Sequence, residues 1–141
     1  MKMKKLAVAL AVTLCASFTG CTSLNEAVIG DGSETQVQTR SYQTKIFEAP
    51  DVETAIKAVI ATMQDVGFVI DNADARVGTV TGTSFHNASR LSVTVRKYGD
   101  NQVQVRANAQ SGLEIIRDPI AYQNFFNSLA KSLFLIGEDV N

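Results

Sequence analysis

The stretch LSVTVRKYGDNQVQVRANA, residues 91–109, alternates apolar and polar side chains on both sides of Gly99-Asp100-Asn101. Successive side chains of a strand point to opposite faces. Once the chain folds back, Leu91, Val93 and Val95 share a face with Val103, Val105, Ala107 and Ala109. Ser92, Thr94 and Arg96 share the other with Gln102, Gln104, Arg106 and Asn108. The pattern predicts an antiparallel hairpin with one buried and one wet face. A dry sheet face needs an apolar cover, and the flanking sequence offers two amphipathic helices.

Upstream, Val52, Ile56, Val59, Ile60, Met63 and Val66 recur at helical spacing. Asp51 is placed to cap that helix, Glu53 suits its positive end, and Gly67 ends it. Downstream, Asp118-Pro119 opens a second helix, whose stripe is Tyr122, Phe125, Phe126, Leu129 and Leu133 and which Gly137 follows. Thr39 to Phe47 alternates as a half-buried strand, with Tyr42, Thr44 and Ile46 on one face and Ser41, Gln43 and Lys45 on the other. Phe68-Val69-Ile70 and Val77 to Phe85 are further strands around the polar turn Asp71-Asn72-Ala73-Asp74. Gly78 and Gly82 in the second of them point to a bulge or a close packing contact. The expectation is an α+β domain over residues 39–137. Its antiparallel sheet has about four strands, two helices cover one face, and the order is β-α-β-β-β-α.

The first twenty residues differ in kind. Lys2, Lys4 and Lys5 precede the apolar run Leu6 to Phe18 and the small residues Thr19 and Gly20, the three-part layout of an export signal. The run covers roughly 20 Å as a helix, short of the ~30 Å of a bilayer core. Phe18-Thr19-Gly20-Cys21 resembles the lipobox of bacterial lipoproteins, with Phe18 where an aliphatic residue is usual. The resemblance implies cleavage between Gly20 and Cys21 and lipidation of Cys21. Thr22 in place of Asp after the cysteine implies, by the same resemblance, the outer membrane facing the periplasm. Residues 21–38 then read as the lipidated cysteine and a polar tether centred on Gly30-Asp31-Gly32-Ser33, and residues 138–141 as a tail.

The three signal lysines account for part of the thirteen basic residues, leaving ten against fourteen acidic ones, a mature balance of about −4. An acidic body with no Lys/Arg cluster has little attraction for phosphate backbones, which argues against nucleic-acid binding.

Ala55 to Ile70, with Met63-Gln64-Asp65-Val66-Gly67-Phe68-Val69-Ile70-Asp71 and then Gly78-Thr79-Val80, is similar to a group of small bacterial lipoproteins. In that group the helix ends in a comparable Gln-Asp-Leu-Gly-Phe turn. The order of elements also resembles the helix-grip domains of the BamC lipoprotein of the outer-membrane assembly machine. Neither resemblance designates catalytic residues.

The residue combinations that chemistry requires are sparse. His86 is the one histidine and lies in the polar stretch Ser84 to Ser89, where an exposed loop residue is the plain expectation. Cys21 carries lipid in this reading, and Cys15 leaves with the signal, so no nucleophilic thiol remains. Asp71 and Asp74 read as turn carboxylates, and Gly78 and Gly82 lack the Gly-Lys-Ser/Thr of a phosphate loop. No metal or cofactor is expected. Tyr122, Phe125 and Phe126 either fill the core or line a cavity, and Thr94, Arg96, Gln104, Arg106 and Asn108 form a candidate partner surface. These readings point to a binding or assembly module rather than an enzyme. Its expected partners are the membrane, through Cys21, and another envelope protein. The alternative is a binder of an apolar small molecule between sheet and helices.

With the signal removed, no stretch approaches the roughly twenty apolar residues that span a bilayer, which leaves the lipid on Cys21 as the strong anchor. Cys21→Ser protein should lose acyl-chain labelling and leave the membrane or stay as uncleaved precursor, while Cys15→Ser behaves as wild type. An unmodified Cys21 thiol in a soluble fraction would contradict this.

Overall fold

The computed structural model describes residues 35–138. The expected signal 1–20, the cleavage and lipidation site at Gly20 and Cys21, most of the expected tether, and residues 139–141 lie outside the described residues. In chain order the elements are α1 (Gln36–Gln43), β1 (Thr44–Glu48), α2 (Val52–Asp65), β2 (Phe68–Asp74), β3 (Thr79–Ser84), β4 (Arg90–Gly99), β5 (Gln102–Ser111), β6 (Glu114–Ile115) and α3 (Pro119–Glu138). The strands form one antiparallel sheet in the order β1-β5-β4-β3-β2, with β6 also paired to β5.

The central hairpin is as the alternation requires. Val93 stands opposite Ala107 and Val95 opposite Val105. Val80 on β3 continues the inner row beside Val93. These side chains are fully or almost fully buried, and α2 and α3 cover them with Ala55, Ile56, Val59, Met63, Tyr122, Phe125, Phe126 and Leu129. Burying such side chains contributes roughly 1.5–3 kcal/mol each and is the main force holding helices to sheet. One polar clasp interrupts the helix–helix contact. Thr62 Oγ1 lies 2.8 Å from the Ala58 carbonyl and 2.9 Å from Ser132 Oγ across on α3. No helix among the described residues is long and apolar enough to cross a membrane.

The helix ends follow from local chemistry. The Thr54 amide donates to Asp51 Oδ1 at 2.7 Å, and this backbone bond holds the Asp51 carboxyl below its usual range. That stabilising contribution is present above the ordinary carboxylate pKa and is lost as pH falls through the lowered one. Glu53 in the first turn pairs with Lys57 at 3.1 Å. At the far end Gly67 adopts φ +91°, a left-handed conformation that a side chain would strain. Asp118 Oδ1 accepts from the Ile120 amide at 2.9 Å and opens α3.

Several expectations need correction. The stretch expected as the end of the tether and the start of a strand is helical from Gln36 to Gln43, because Thr35 and Gln38 form a reciprocal capping box. Among the described residues the order is therefore α-β-α-β-β-β-β-β-α, with three helices and six strands. The strand that follows runs only from Thr44, with Phe47 buried and Ile46 41% exposed, so the inner residue is the neighbour of the one the alternation favoured. Phe47 wins because its ring meets Phe126 at 6.0 Å between centroids. The strand after α2 extends to Asp74, through the expected turn, and the next is limited to Thr79–Ser84. The register shift lies on β2 between Ile70 and Asn72, directly across from Gly82, which pairs with Ile70. Gly82 also marks the close contact expected of it, where a Cβ would lie 2.6 Å from the Val69 carbonyl oxygen and 2.8 Å from Met63 Cε. Gly78 has φ +75° in the β2–β3 turn and abuts the Val95 backbone. Finally, α3 runs through Gly137 to Glu138, since one glycine near a helix end costs only about 1 kcal/mol.

Candidate binding cleft and polar sheet face

The inner face of β5 tapers. Val103 and Val105 fill the space under the helices, whereas Ala107 and Ala109 further along the strand do not reach as far. At this end the sheet and α3 part around a cleft of about 290 Å³. Leu91 and Ala109, opposite each other in register, form its floor. Tyr122 and Phe125 form one wall and Val66 and Phe68 the other, with Ile116 and Ala121 at the sides. Ser89, Asn124 and Ser128 supply the polar atoms of the lining. Ser89 is already engaged, with its Oγ 2.7 Å from Asn87 Oδ1.

The Tyr122 hydroxyl holds this cleft together. Pairing with β1 covers β5 from Gln102 to Arg106, and pairing with β6 begins at Gln110, so the intervening edge of β5 lacks a strand neighbour on that side. There the Ala109 amide donates to the Tyr122 hydroxyl at 2.9 Å. The same oxygen accepts from Gln43 Nε2 at 3.2 Å and donates to the Ile116 carbonyl at 2.8 Å. The Ile116 amide in turn donates to the Ala109 carbonyl at 2.8 Å. Gln43, expected on a strand, is 3% exposed at the end of α1 and carries the polar link between α1 and α3, beside the Tyr42–Tyr122 ring contact at 5.6 Å. The aromatic stripe therefore divides. Phe126 packs into the core against Phe47 and Phe125, while Tyr122 and Phe125 are core residues whose outer sides line the cleft.

On the opposite face of the sheet, Thr94, Arg96, Gln104 and Arg106 line a shallow depression of about 400 Å³ together with Thr44. Four of the five residues of the expected partner surface are thus brought together. Thr44 joins them because it stands opposite Arg106 across the β1–β5 pairing, a register that no local pattern reveals. Asn108 lies on the same face two residues along β5, outside the depression, and its Oδ1 is buried without a hydrogen-bond donor. The remaining polar residues singled out from the sequence lie apart. His86 is exposed in the β3–β4 turn, its amide on Ser84 Oγ at 3.2 Å and its ring against Gly67. Asp71, expected in a turn, lies on β2 and accepts from Thr83 Oγ1 of the neighbouring strand at 2.8 Å, whereas Asp74 Oδ1 accepts the Arg76 and Val77 amides at 2.8 and 3.1 Å and stabilises the β2–β3 turn. Among the described residues, no three His, Cys, Asp or Glu side chains gather closely enough to hold a metal ion.

No protein-family model matches the chain, and no curated protein matches it.

A buried acceptor without a donor costs about 1–3 kcal/mol. Asn108→Thr removes that carbonyl oxygen and introduces a residue better suited to a strand. The variant should be more stable by about 1 kcal/mol, a rise in Tm of ~4–8 °C for a domain of this size. A thermal melt that is unchanged or lower would show that the Asn108 carbonyl has a partner in solution.

Proposed function

We propose that the chain is an envelope lipoprotein, anchored through Cys21 to the outer membrane and facing the periplasm. Its folded domain acts as a protein-binding module, and the cleft between sheet and α3 receives an apolar side chain of the partner. The observation that carries this reading is the cleft itself, with hydrocarbon walls on four elements and a rim that includes Val66, 41% exposed. Such walls strip water from an apolar group and hold it, but do not move protons or break bonds. The lipobox resemblance and the likeness of residues 55–80 to small bacterial lipoproteins support the anchor and the address.

The size of the cleft favours a side chain over a larger ligand. Small-molecule sites commonly start at ~300 Å³, and a dry cavity of ~150 Å³ accommodates benzene, so one aromatic or two aliphatic groups fit here. Burying one such side chain yields roughly 1.5–3 kcal/mol, enough for the anchor of a larger contact but not for a stable complex alone. The second reading, an apolar small molecule in the same cleft, rests on the same hydrocarbon lining.

A photo-reactive phenylalanine analogue at Asn124, on the cleft, separates the two. In intact cells it should form an adduct with one envelope protein, whereas the same analogue at Lys57, exposed on α2, should not. Val66→Asp, at the half-exposed rim, should lower the adduct yield about tenfold, as expected for a charge facing an apolar contact. An apolar compound that co-purifies with the wild-type chain and is lost from Val66→Asp, with no protein adduct, would establish the small-molecule reading instead. Equal adducts from positions 124 and 57 would contradict both.

A further inference from the structure

The outer face of the sheet carries a second site, independent of the cleft. We propose that the depression lined by Thr44, Thr94, Arg96, Gln104 and Arg106 binds a phosphate group through the guanidinium groups of Arg96 and Arg106.

The register places the two arginines together. Arg106 stands between Thr94 on β4 and Thr44 on β1, and Arg96 stands opposite Gln104 one step along the same face. Arg96 and Arg106 are therefore diagonal neighbours, with backbones roughly 7–8 Å apart. Arginine stays protonated at any physiological pH, so the two charges repel and gain from an anion between them. Among the described residues, none supplies that anion. Among the described residues the ion pair is Glu53 with Lys57 on α2, and neither arginine has an acidic partner. Asp74 shares the outer face but belongs to β2, at the far edge of the sheet, where its Oδ1 is taken by two amides. Glu48 sits at the end of β1 opposite Gln102, beyond the depression.

The surroundings add donors and positive potential. Thr44, Thr94 and Gln104 bring hydroxyl and amide groups to the same depression. Arg96 also borders a neighbouring hollow with Arg76, while Lys97, the next residue on β4, is in register with inward-facing Val103 and belongs to the other face. A carboxylate is satisfied by the planar fork of a single guanidinium. Two guanidiniums from adjacent strands, with hydroxyls between and beside them, suit a tetrahedral group with more acceptor oxygens.

The test uses the full-length chain in detergent, with inorganic phosphate as the probe and the arginine side-chain Nε–H resonances as the readout. Arg96 and Arg106 should shift together and saturate, Arg90, on the same face, should not, and acetate at equal ionic strength should produce no saturable shift. Arg96→Gln and Arg106→Gln should each weaken binding about tenfold or more, the loss expected for one charge-assisted contact, while Arg90→Gln binds as wild type. Both arginines are exposed, so unchanged thermal melts should accompany these losses. Vesicles of phosphatidylglycerol against phosphatidylcholine identify the source. Arginine-dependent retention on the anionic vesicles assigns a lipid head group, and phosphate binding without retention assigns a soluble phosphate compound. No response to either probe, an equal response to acetate, equal weakening by Arg90→Gln, or displacement by an acidic peptide at lower concentration than phosphate would each overturn the proposal.

Discussion

One hydroxyl group ties α1, α3 and the edge of β5 together. The Tyr122 oxygen takes the Ala109 amide of β5, the amide of Gln43 from α1, and gives its proton to the Ile116 carbonyl ahead of α3. Tyr122 is 3% exposed, so water cannot substitute readily for any of these partners. A buried donor or acceptor left alone costs about 1–3 kcal/mol, which makes this junction worth more than its ring packing alone suggests. It also explains how an edge of β5 between two short partner strands stays ordered: the tyrosine hydroxyl takes the place of a strand.

The cleft follows from that constraint together with side-chain size. Tyr122 fixes α3 against the β5 edge, while Ala107, Ala109 and Ala121 are too small to fill what lies between. Elsewhere Val103, Val105, Val59, Met63 and Leu129 close the interior completely. An unfilled apolar space forfeits dispersion contacts, and here it lies open along one side rather than sealed in the core. The opposite face has another character. There hydroxyl, amide and guanidinium groups stand in cross-strand rows, and the sheet presents hydrocarbon to its helices and polar groups to solvent. The two candidate sites therefore occupy opposite faces, and the substitutions that probe one do not reach the other.

Much of the fold was legible in the chain because periodicity reports which face is buried. The 91–109 hairpin, the helix capped by Asp51 and the helix opened by Asp118 all follow from local patterns whose spacing matches the buried residues. The misreadings arise where two local signals compete. Thr39 to Gln43 alternates like a strand, yet Thr35-Gln36-Val37-Gln38 is a capping-box sequence, and the cap prevails. Ile46 and Phe47 are adjacent, so either could face inward, and a distant ring on α3 decides. Two-residue β6 is too short to leave a pattern. The polar face was visible as a set of residues, but Thr44 joins it through strand pairing alone. The cleft was visible only as the alternative reading of Tyr122 and Phe125 as cavity-lining residues, because its size is a difference between side-chain volumes contributed by four separate elements.

The most direct measurement is amide hydrogen exchange at Ala109 in wild-type and Tyr122→Phe protein, compared with Val95 and Val105 in the central ladder. If the hydroxyl is the element that fixes the cleft, removing it should cut protection at Ala109 and Ile116 by about tenfold to a hundredfold, the equivalent of one lost buried hydrogen bond. The central strands should keep theirs. Unchanged protection at Ala109, or an equal fall across every strand, would show that the cleft is not held by Tyr122.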